Sequence, residues 1–398
     1  MSAPTTIGLL DAETLECQSE QLHNDCNSQQ DVSDEEVEPW SLFANCCRLQ
    51  RNGMVAGGAI SQGFTWNPDS PDDRSNGTLA YNDRSNEYQF NQLHFYLEKP
   101  LDDDSDCFHI GGMVEAFYGT DALFNQTIGL DDDWDSGRYG FILPQSYLSL
   151  FVPVGNGITV KLGHFWGLLG YEGTAALDRH FYSSSNTNNI LEPNTDTGVQ
   201  LSYGFDDNWS LVAAVTRGLD VWDDGNNRVG FTASLGWESD DGDTSISYAL
   251  YYDGLCLSCS PVDQHIPQYL ASLVVEQKLS ENLMYVFWHD HGFADDPAMT
   301  PSNASWYSIV QYLLYEVNDC WTANARLEWV RDQDGFLMAS STGDLWGMTL
   351  GLNYKPTANL VYRPEIRWDW SDGLTPPLFD DHTRNNQFTF AVDVVWIY

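Results

Sequence analysis

In the stretches 321–330 and 360–370, charged residues recur at every second position. Arg326 and Glu328 stand in the first, and Arg363, Glu365, Arg367 and Asp369 in the second. On an extended strand this spacing places each set on one face. The residue types are guanidinium and carboxylate, with no nucleophile or base between them. Such a row makes or bends no bonds; it either sets up an electric field or neutralises itself. One reading is a basic ladder that creates a transverse field across a water-filled space. The other is that Arg–Glu and Arg–Asp neighbours satisfy each other across strands. The chain has only 17 basic residues, and three of them fall in these rows. By the same alternation Lys161, Glu115, His109 and Glu98 share the charged face on other segments.

Other chemistry finds less support. With 58 acidic residues, carboxylate pairs at glycosidase spacing arise by chance and carry no weight. No Ser, His and Asp arrangement stands at convincing strand positions. The eight cysteines include Cys17, Cys26, Cys46 and Cys47 near the N-terminus and a CxxC at Cys256 and Cys259. No second CxxC or suitably spaced His accompanies that motif, so a loop disulfide is the expectation over zinc. The acidic runs at 131–135, 223–227 and 332–335 could hold Ca²⁺. However, "DDDWDSGRYGFI" has Ile142 where a calcium loop needs its closing Glu. Solvated loops are the expectation, and no cofactor is expected.

The elements that position the charged rows are strands. From residue 53 onward, period-2 alternation replaces helical periodicity. In the last segment Phe388, Phe390, Val392, Val394, Trp396 and Tyr398 alternate with Gln387, Thr389, Ala391, Asp393, Val395 and Ile397. Sixteen such segments can be counted, although the eleventh and twelfth alternate poorly. Short and long connections alternate between them without exception, as in an up-and-down meander with tight turns at one end. Greek-key crossings of a sandwich would scramble those lengths. Sixteen strands enclose a space too wide for side chains to fill, so the aromatic face is assigned outward, to lipid, and the charged face inward, to water. The fold expected is an all-β, transmembrane up-and-down antiparallel barrel of about sixteen strands over 53–398. Residues 1–52, with ten acidic residues against two arginines, read as a flexible acidic extension with a short helix near 38–50.

Composition agrees. A formal net charge of −41 argues against nucleic acid, while 15 Trp and an aromatic content of 14% with negative mean hydropathy suit an alternating β chain. No window is long and apolar enough for a helical span, and no leader peptide is visible at the start.

The stretch "YLSLFVPVGNGITVKLGHFWGLLGYEG" (147–173) resembles a signature of the β-barrel porins related to the OmpL type. "FYSSS" (181–185), the segment 192–227 and "GAISQGFTWN" (58–67) fit the same pattern. This resemblance implies an outer-membrane pore of a bacterium with two membranes, passing small hydrophilic solutes and ions by passive diffusion, with no catalytic step. It implies lipid contact, a homo-trimer by analogy, and a terminal aromatic read by the insertion machinery. It also implies that the third long loop, 168–196, folds inward as the constriction, offering Glu172, Asp178, Arg179, His180 and Tyr182. Acidic loops concentrate cations at the mouth, so a cation preference is expected, offset by arginines at the constriction. The alternatives are a barrel blocked by residues 1–52 or serving structure alone, and a secreted carbohydrate-binding β protein.

Overall fold

A computed structural model describes residues 40–102, 106–223, 228–256, 266–295, 303–338 and 342–398. Sixteen strands form one closed antiparallel barrel in which each pairs with its sequence neighbours and the first pairs with the last. They are β1 (Val55–Trp66), β2 (Glu87–Lys99), β3 (His109–Gly119), β4 (Gly140–Val152), β5 (Ile158–Trp166), β6 (Thr195–Gly204), β7 (Trp209–Thr216) and β8 (Arg228–Glu238). The round continues with β9 (Thr244–Cys256), β10 (Gln268–Ser280), β11 (Leu283–Asp295), β12 (Asn303–Asn318), β13 (Trp321–Asp332), β14 (Gly343–Thr357), β15 (Leu360–Asp372) and β16 (Asn386–Ile397). Closure satisfies every edge N–H and C=O within the sheet, which a lipid environment requires.

The outer face is dominated by apolar residues. Trp321, Trp368 and Trp396 are each more than a third exposed, while Asn324, Arg367 and Val395 on the opposite face of the same strands are buried. Two aromatic rows cross the outer wall. Trp329 pairs with Trp346 and Trp346 with Trp370 towards the long-loop end; Trp321 pairs with Tyr354 and Tyr354 with Tyr362 towards the short-turn end. On each of β13, β14 and β15 the two aromatics stand eight positions apart. At about 3.3 Å per residue and a tilt near 40° this is about 20 Å of height, close to the apolar band of an outer-membrane barrel. The seam is held to the last residue. Tyr398 exchanges backbone hydrogen bonds with Gly58 and donates its hydroxyl to His94 O at 2.7 Å. Its ring passes so close to Gly58 that a Cβ there would meet the phenol oxygen at 2.7 Å.

The inner face departs from the simple rule in one sector. Trp288 and Trp306 point into the barrel and are no more than 1% exposed. Val274, Val286, Val310, Tyr312 and Leu314 join Trp288 in a core cluster with Phe181 of the third loop. A second cluster unites Leu191 with Trp306, Val330, Met338, Leu345, Leu374 and Phe379. β11 and β12 therefore carry apolar residues on both faces, one against lipid and one against a loop. This is why their alternation is weak in sequence. In this sector the long loops occupy part of the wide interior.

Before β1 lies α1 (Cys47–Arg51). Residues 1–39, and with them Cys17, Cys26 and the bulk of the acidic extension, lie outside the described residues. So do Cys259 and the side chain of Cys256, with the disulfide expected there.

Candidate constriction site

The third long loop, 167–194, leaves β5 and returns to β6. From Gly163 to Gly198 not one residue is exposed. Surface loops expose their polar backbone to water. A loop this long without an exposed residue must lie inside the barrel, with its backbone groups satisfied by the wall.

The wall strands supply those partners. Arg326 donates to Ser183 O at 2.9 Å and Ser184 O at 3.2 Å, and to Thr349 Oγ1 on β14. Arg367 donates to Ser184 O at 2.8 Å. Arg363 reaches Ala176 O at 2.6 Å and Arg179 O at 2.7 Å. The carboxylates take the N–H groups: Glu365 accepts from Tyr182 at 2.9 Å and Ser183 at 3.2 Å, and Glu328 accepts from Asn186 at 2.5 Å. Guanidiniums thus hold loop carbonyls and carboxylates hold loop amides, from strands two apart in the sheet. The small residues of Ser183-Ser184-Ser185 let the backbone come this close. Ser185 then caps the short helix α2 (Asn186–Leu191) through the Asn188 N–H.

Charges balance within the same layer. Arg326 pairs with Glu172 at 2.7 Å, Arg367 with Glu328 and Asp369 at 2.8 Å each, and Arg363 with Asp393 at 2.5 Å. Glu172 also accepts from Tyr312 Oη and the Ser185 N–H, both at 2.6 Å. Burial alone would raise the Glu172 carboxyl; Arg326 and these donors overcome it and hold it below its ordinary range. Arg179 lies 3.9 Å over the Tyr81 ring of the first long loop and 3.3 Å from Asp121 of the second. Burial pushes the Asp121 carboxyl up, against the pull of Arg179.

Eight of the charged residues singled out from sequence therefore meet in one network: Glu172, Arg179, Arg326, Glu328, Arg363, Glu365, Arg367 and Asp369. The structure corrects how they act. Arg326, Arg363 and Arg367 face inward but are 1%, 3% and 1% exposed, because the loop lies on top of them. They fasten the loop instead of forming an open basic ladder, and the mutual-neutralisation reading holds. Glu115, Lys161, Asp178 and His180 stand apart from it, as do Glu98 on β2 and His109 on β3. Glu115 is buried on β3, accepting from Gln145 at 2.8 Å and Trp166 Nε1 at 3.0 Å, beside His94. Lys161 is half-buried with its Nζ 4.7 Å over the Tyr147 ring. Asp178 is half-buried at the loop's tip, and its carboxyl is pushed up to about 6 by burial and then by Glu115. His180 stacks on Tyr171 and shares a hydrogen bond with its hydroxyl at 3.0 Å. Burial, then the nearby Arg363, Lys355 and Arg326, press its imidazole down to about 4 against the opposing pull of Glu172. His180 is accordingly neutral at working pH. A His180→Gln variant is expected to match the parent's conductance at every pH from about 5 to 8; an acid-dependent difference between the two would refute that neutrality.

Sequence reasoning missed Asn91, Gln92, Asp121 and Tyr81. Gln92 clamps the loop tip, donating to Thr174 O at 2.8 Å and accepting from Ala176 N at 2.9 Å. The β1–β2 register shifts at Ser61/Gln62, so Asn91 and Gln92 both turn inward and parity counting fails there. Asp121 and Tyr81 belong to loops, which carry no period. Asp393, by contrast, occupies an inward position of β16 that alternation shows directly.

The acidic runs are engaged in the chain's own turns. Asp332 accepts from the N–H groups of Phe336, Leu337 and Met338, Asp334 from Ser305, and Asp131 from Thr127 and Leu143. Among the described residues no cluster of three or more His, Cys, Asp or Glu is placed to hold a metal. The run 223–227 extends beyond the described residues.

A closed sixteen-stranded barrel, apolar and aromatic outside and charged within, with its third long loop laid on the inner wall, defines an outer-membrane porin. Passive diffusion through such a barrel is set by its width and lining charge. The chain belongs to the family described as Putative beta-barrel porin-2, OmpL-like, whose sequence pattern matches residues 53–397. It is an outer-membrane channel for small hydrophilic solutes and ions. Solved structures repeat the fold at low identity. The outer membrane channel DcaP of Acinetobacter baumannii superposes with a TM-score of 0.59 at 10% identity, covering 87% of this chain and 97% of that one. The anion-selective porin from Comamonas acidovorans gives 0.62 at 10%, covering 87% and 99%. OmpT of Vibrio cholerae in its trimer form gives 0.55 at 12%, covering 87% and 99%. No curated protein matches the chain.

Proposed function

We propose that the third loop is the constriction, that solutes pass on the side of the lumen away from it, along the inner faces of β2 to β9, and that the channel prefers cations. The observation that carries this reading is the burial of Arg326, Arg363 and Arg367 beneath the loop. Their charge is spent on Glu172, Glu328, Asp369 and Asp393 and cannot repel cations in transit. The half-buried inward residues of the short-turn half include Ser202, Ser210, Ser234, Ser247, Glu98 and, on β10, Glu276, with Lys161 among them. With Asp178 at the loop tip, carboxylates outnumber ammonium groups there, and the local potential is negative.

The test is the reversal potential of single channels in a planar bilayer under a KCl gradient. A potential on the cation side supports the reading; one on the anion side overturns it. The pH dependence has a definite sign. The carboxyl of Asp178 is raised to about 6, so it is charged above that pH and neutral below it. Cation preference is expected to weaken as pH falls from about 7.5 to about 5, and Asp178→Asn to remove most of that change. A wild-type pH profile indistinguishable from that of the variant would exclude Asp178 from the path.

By analogy with the trimer form of the Vibrio cholerae structure, the assembly is proposed to be a homo-trimer, which native mass spectrometry of the detergent-solubilised protein would test.

A further inference from the structure

The segment just before the barrel does not enter the lumen. Trp40 stacks on the outward-facing Trp396, ring centroids 6.4 Å apart and planes 6° from parallel. Phe43 packs edge-on against the outward-facing Phe95 at 5.9 Å and touches Tyr398. The backbone of Trp40 is held at both ends by one side chain: its N–H donates to Asn359 Oδ1 at 2.7 Å, and its C=O accepts from Asn359 Nδ2 at 2.6 Å. Asn359 stands in the tight turn between β14 and β15, and its Nδ2 also reaches Ile397 O. The segment is thus pinned outside the wall at the short-turn rim, across the β1–β16 seam, level with the aromatics of that rim.

Its two sides differ. Phe43 and Leu49 are half-buried, while Trp40 and Leu42 are 55% and 57% exposed. Arg48 and Arg51 are exposed in α1 and carry no salt bridge among the described residues. Exposed large apolar groups are costly in water but favoured at the boundary between acyl chains and headgroups, where Trp is enriched. Arginines beside them are placed to meet phosphate. The sequence immediately before Trp40, "DVSDEEVEP" (31–39), carries five carboxylates and no cation, so an anionic surface repels it where it attracts the arginines.

We infer that residues 40–51 form an interfacial strap that seats in the phospholipid surface at the short-turn end, with Trp40 and Leu42 at the acyl boundary and Arg48 and Arg51 on lipid phosphates. The strap ties the end of the seam to the membrane.

Hydrogen–deuterium exchange of the full-length protein tests this, in vesicles of phosphatidylcholine alone and in vesicles with added phosphatidylglycerol. Each arginine near an anionic surface contributes about a five-fold bias, so slowing of exchange over 40–54 by up to about thirty-fold is expected with the anionic lipid. Arg48→Gln/Arg51→Gln should lose that lipid dependence, with the heat-modifiable mobility of the folded barrel unchanged. Trp40→Ser/Leu42→Ser should expose the segment in both lipids. Equal exchange of the parent in the two vesicle types would overturn the phosphate contact. Protection that scales with protein-to-lipid ratio instead of anionic lipid would assign the surface to a second copy of the chain and overturn the inference. Either failure leaves the porin reading intact, since conductance does not depend on the strap.

Discussion

Replacing Arg326 with alanine is expected to release the third loop and raise single-channel conductance, with frequent switching between levels in place of one steady state. Arg326 is the most heavily used cation in the lumen. It binds Glu172 at 2.7 Å, three acceptors on Ser183 and Ser184, and Thr349, and its guanidinium lies 4.9 Å from the centre of the Phe181 ring. Its loss leaves Glu172 buried with only the Tyr312 hydroxyl and the Ser185 amide, strips Ser183 O of its guanidinium donor and leaves Ser184 O to Arg367 alone. Breaking a buried pair by removing one partner costs about 3–5 kcal/mol. The barrel's ladders run through the Arg326 backbone and do not need its guanidinium, so the cost falls on the loop, which is the part free to move. The readouts are planar-bilayer conductance and proteolysis of the folded protein, where new cleavage within 167–194 is expected. Arg326→Lys should restore part of the effect, because an ammonium keeps the charge but not the forked donors that meet two carbonyls at once. If Arg326→Ala gives the parent's conductance and no new cleavage, the clamp assigned to these wall charges is wrong.

Valine at Gly351 or Gly63 is expected to act in the opposite direction and lower conductance. These glycines lie under two of the loop's large rings, Phe181 and Tyr182. A Cβ at Gly351 would come within 2.9 Å of the Phe181 ring, and one at Gly63 within 2.6 Å of the Tyr182 ring. Side chains at both positions point inward, so added bulk pushes the rings towards the free side of the lumen. Overpacking of this kind costs about 1–3 kcal/mol, less than the clamp supplies, so the loop should shift without detaching. The double variant Gly63→Val/Gly351→Val should narrow the path most, seen as lower conductance and slower uptake of larger sugars into proteoliposomes, with the barrel still resistant to SDS at room temperature. A rise in conductance would mean that the rings hold the loop in place and that the polar clamp cannot do so alone. The two experiments separate chemistry from shape: one removes the hold, and the other moves what is held.

The two substitutions also mark how far the chain could be read without its fold. Arg326, Glu328, Arg363, Glu365, Arg367 and Asp369 were placed on the inner face by parity alone, and all six are there. Parity is a property of the extended backbone, so it holds wherever a strand is regular. It fails at the irregularity in β2, where Asn91 and Gln92 both turn inward, and it fades in β11 and β12. There the inner face must be apolar to receive Phe181 and the core around Trp288. Gly63 and Gly351 read in sequence as small residues on a polar face. Only the packed structure shows what lies on each.

By itself, the sequence determined the barrel: sixteen strands, alternating short turns and long loops, an aromatic outer face and a charged inner one. These follow from local geometry, since the pleat alternates faces every residue and a tight turn needs only a few positions. The tertiary structure decided what the inner charges do. Whether Arg363 meets water or the carbonyls of Ala176 and Arg179, and whether Glu365 faces an ion or the amides of Tyr182 and Ser183, depends on where a loop some 180 residues away in the chain comes to rest. That position is fixed by many contacts made together, none of which has a period for the sequence to display.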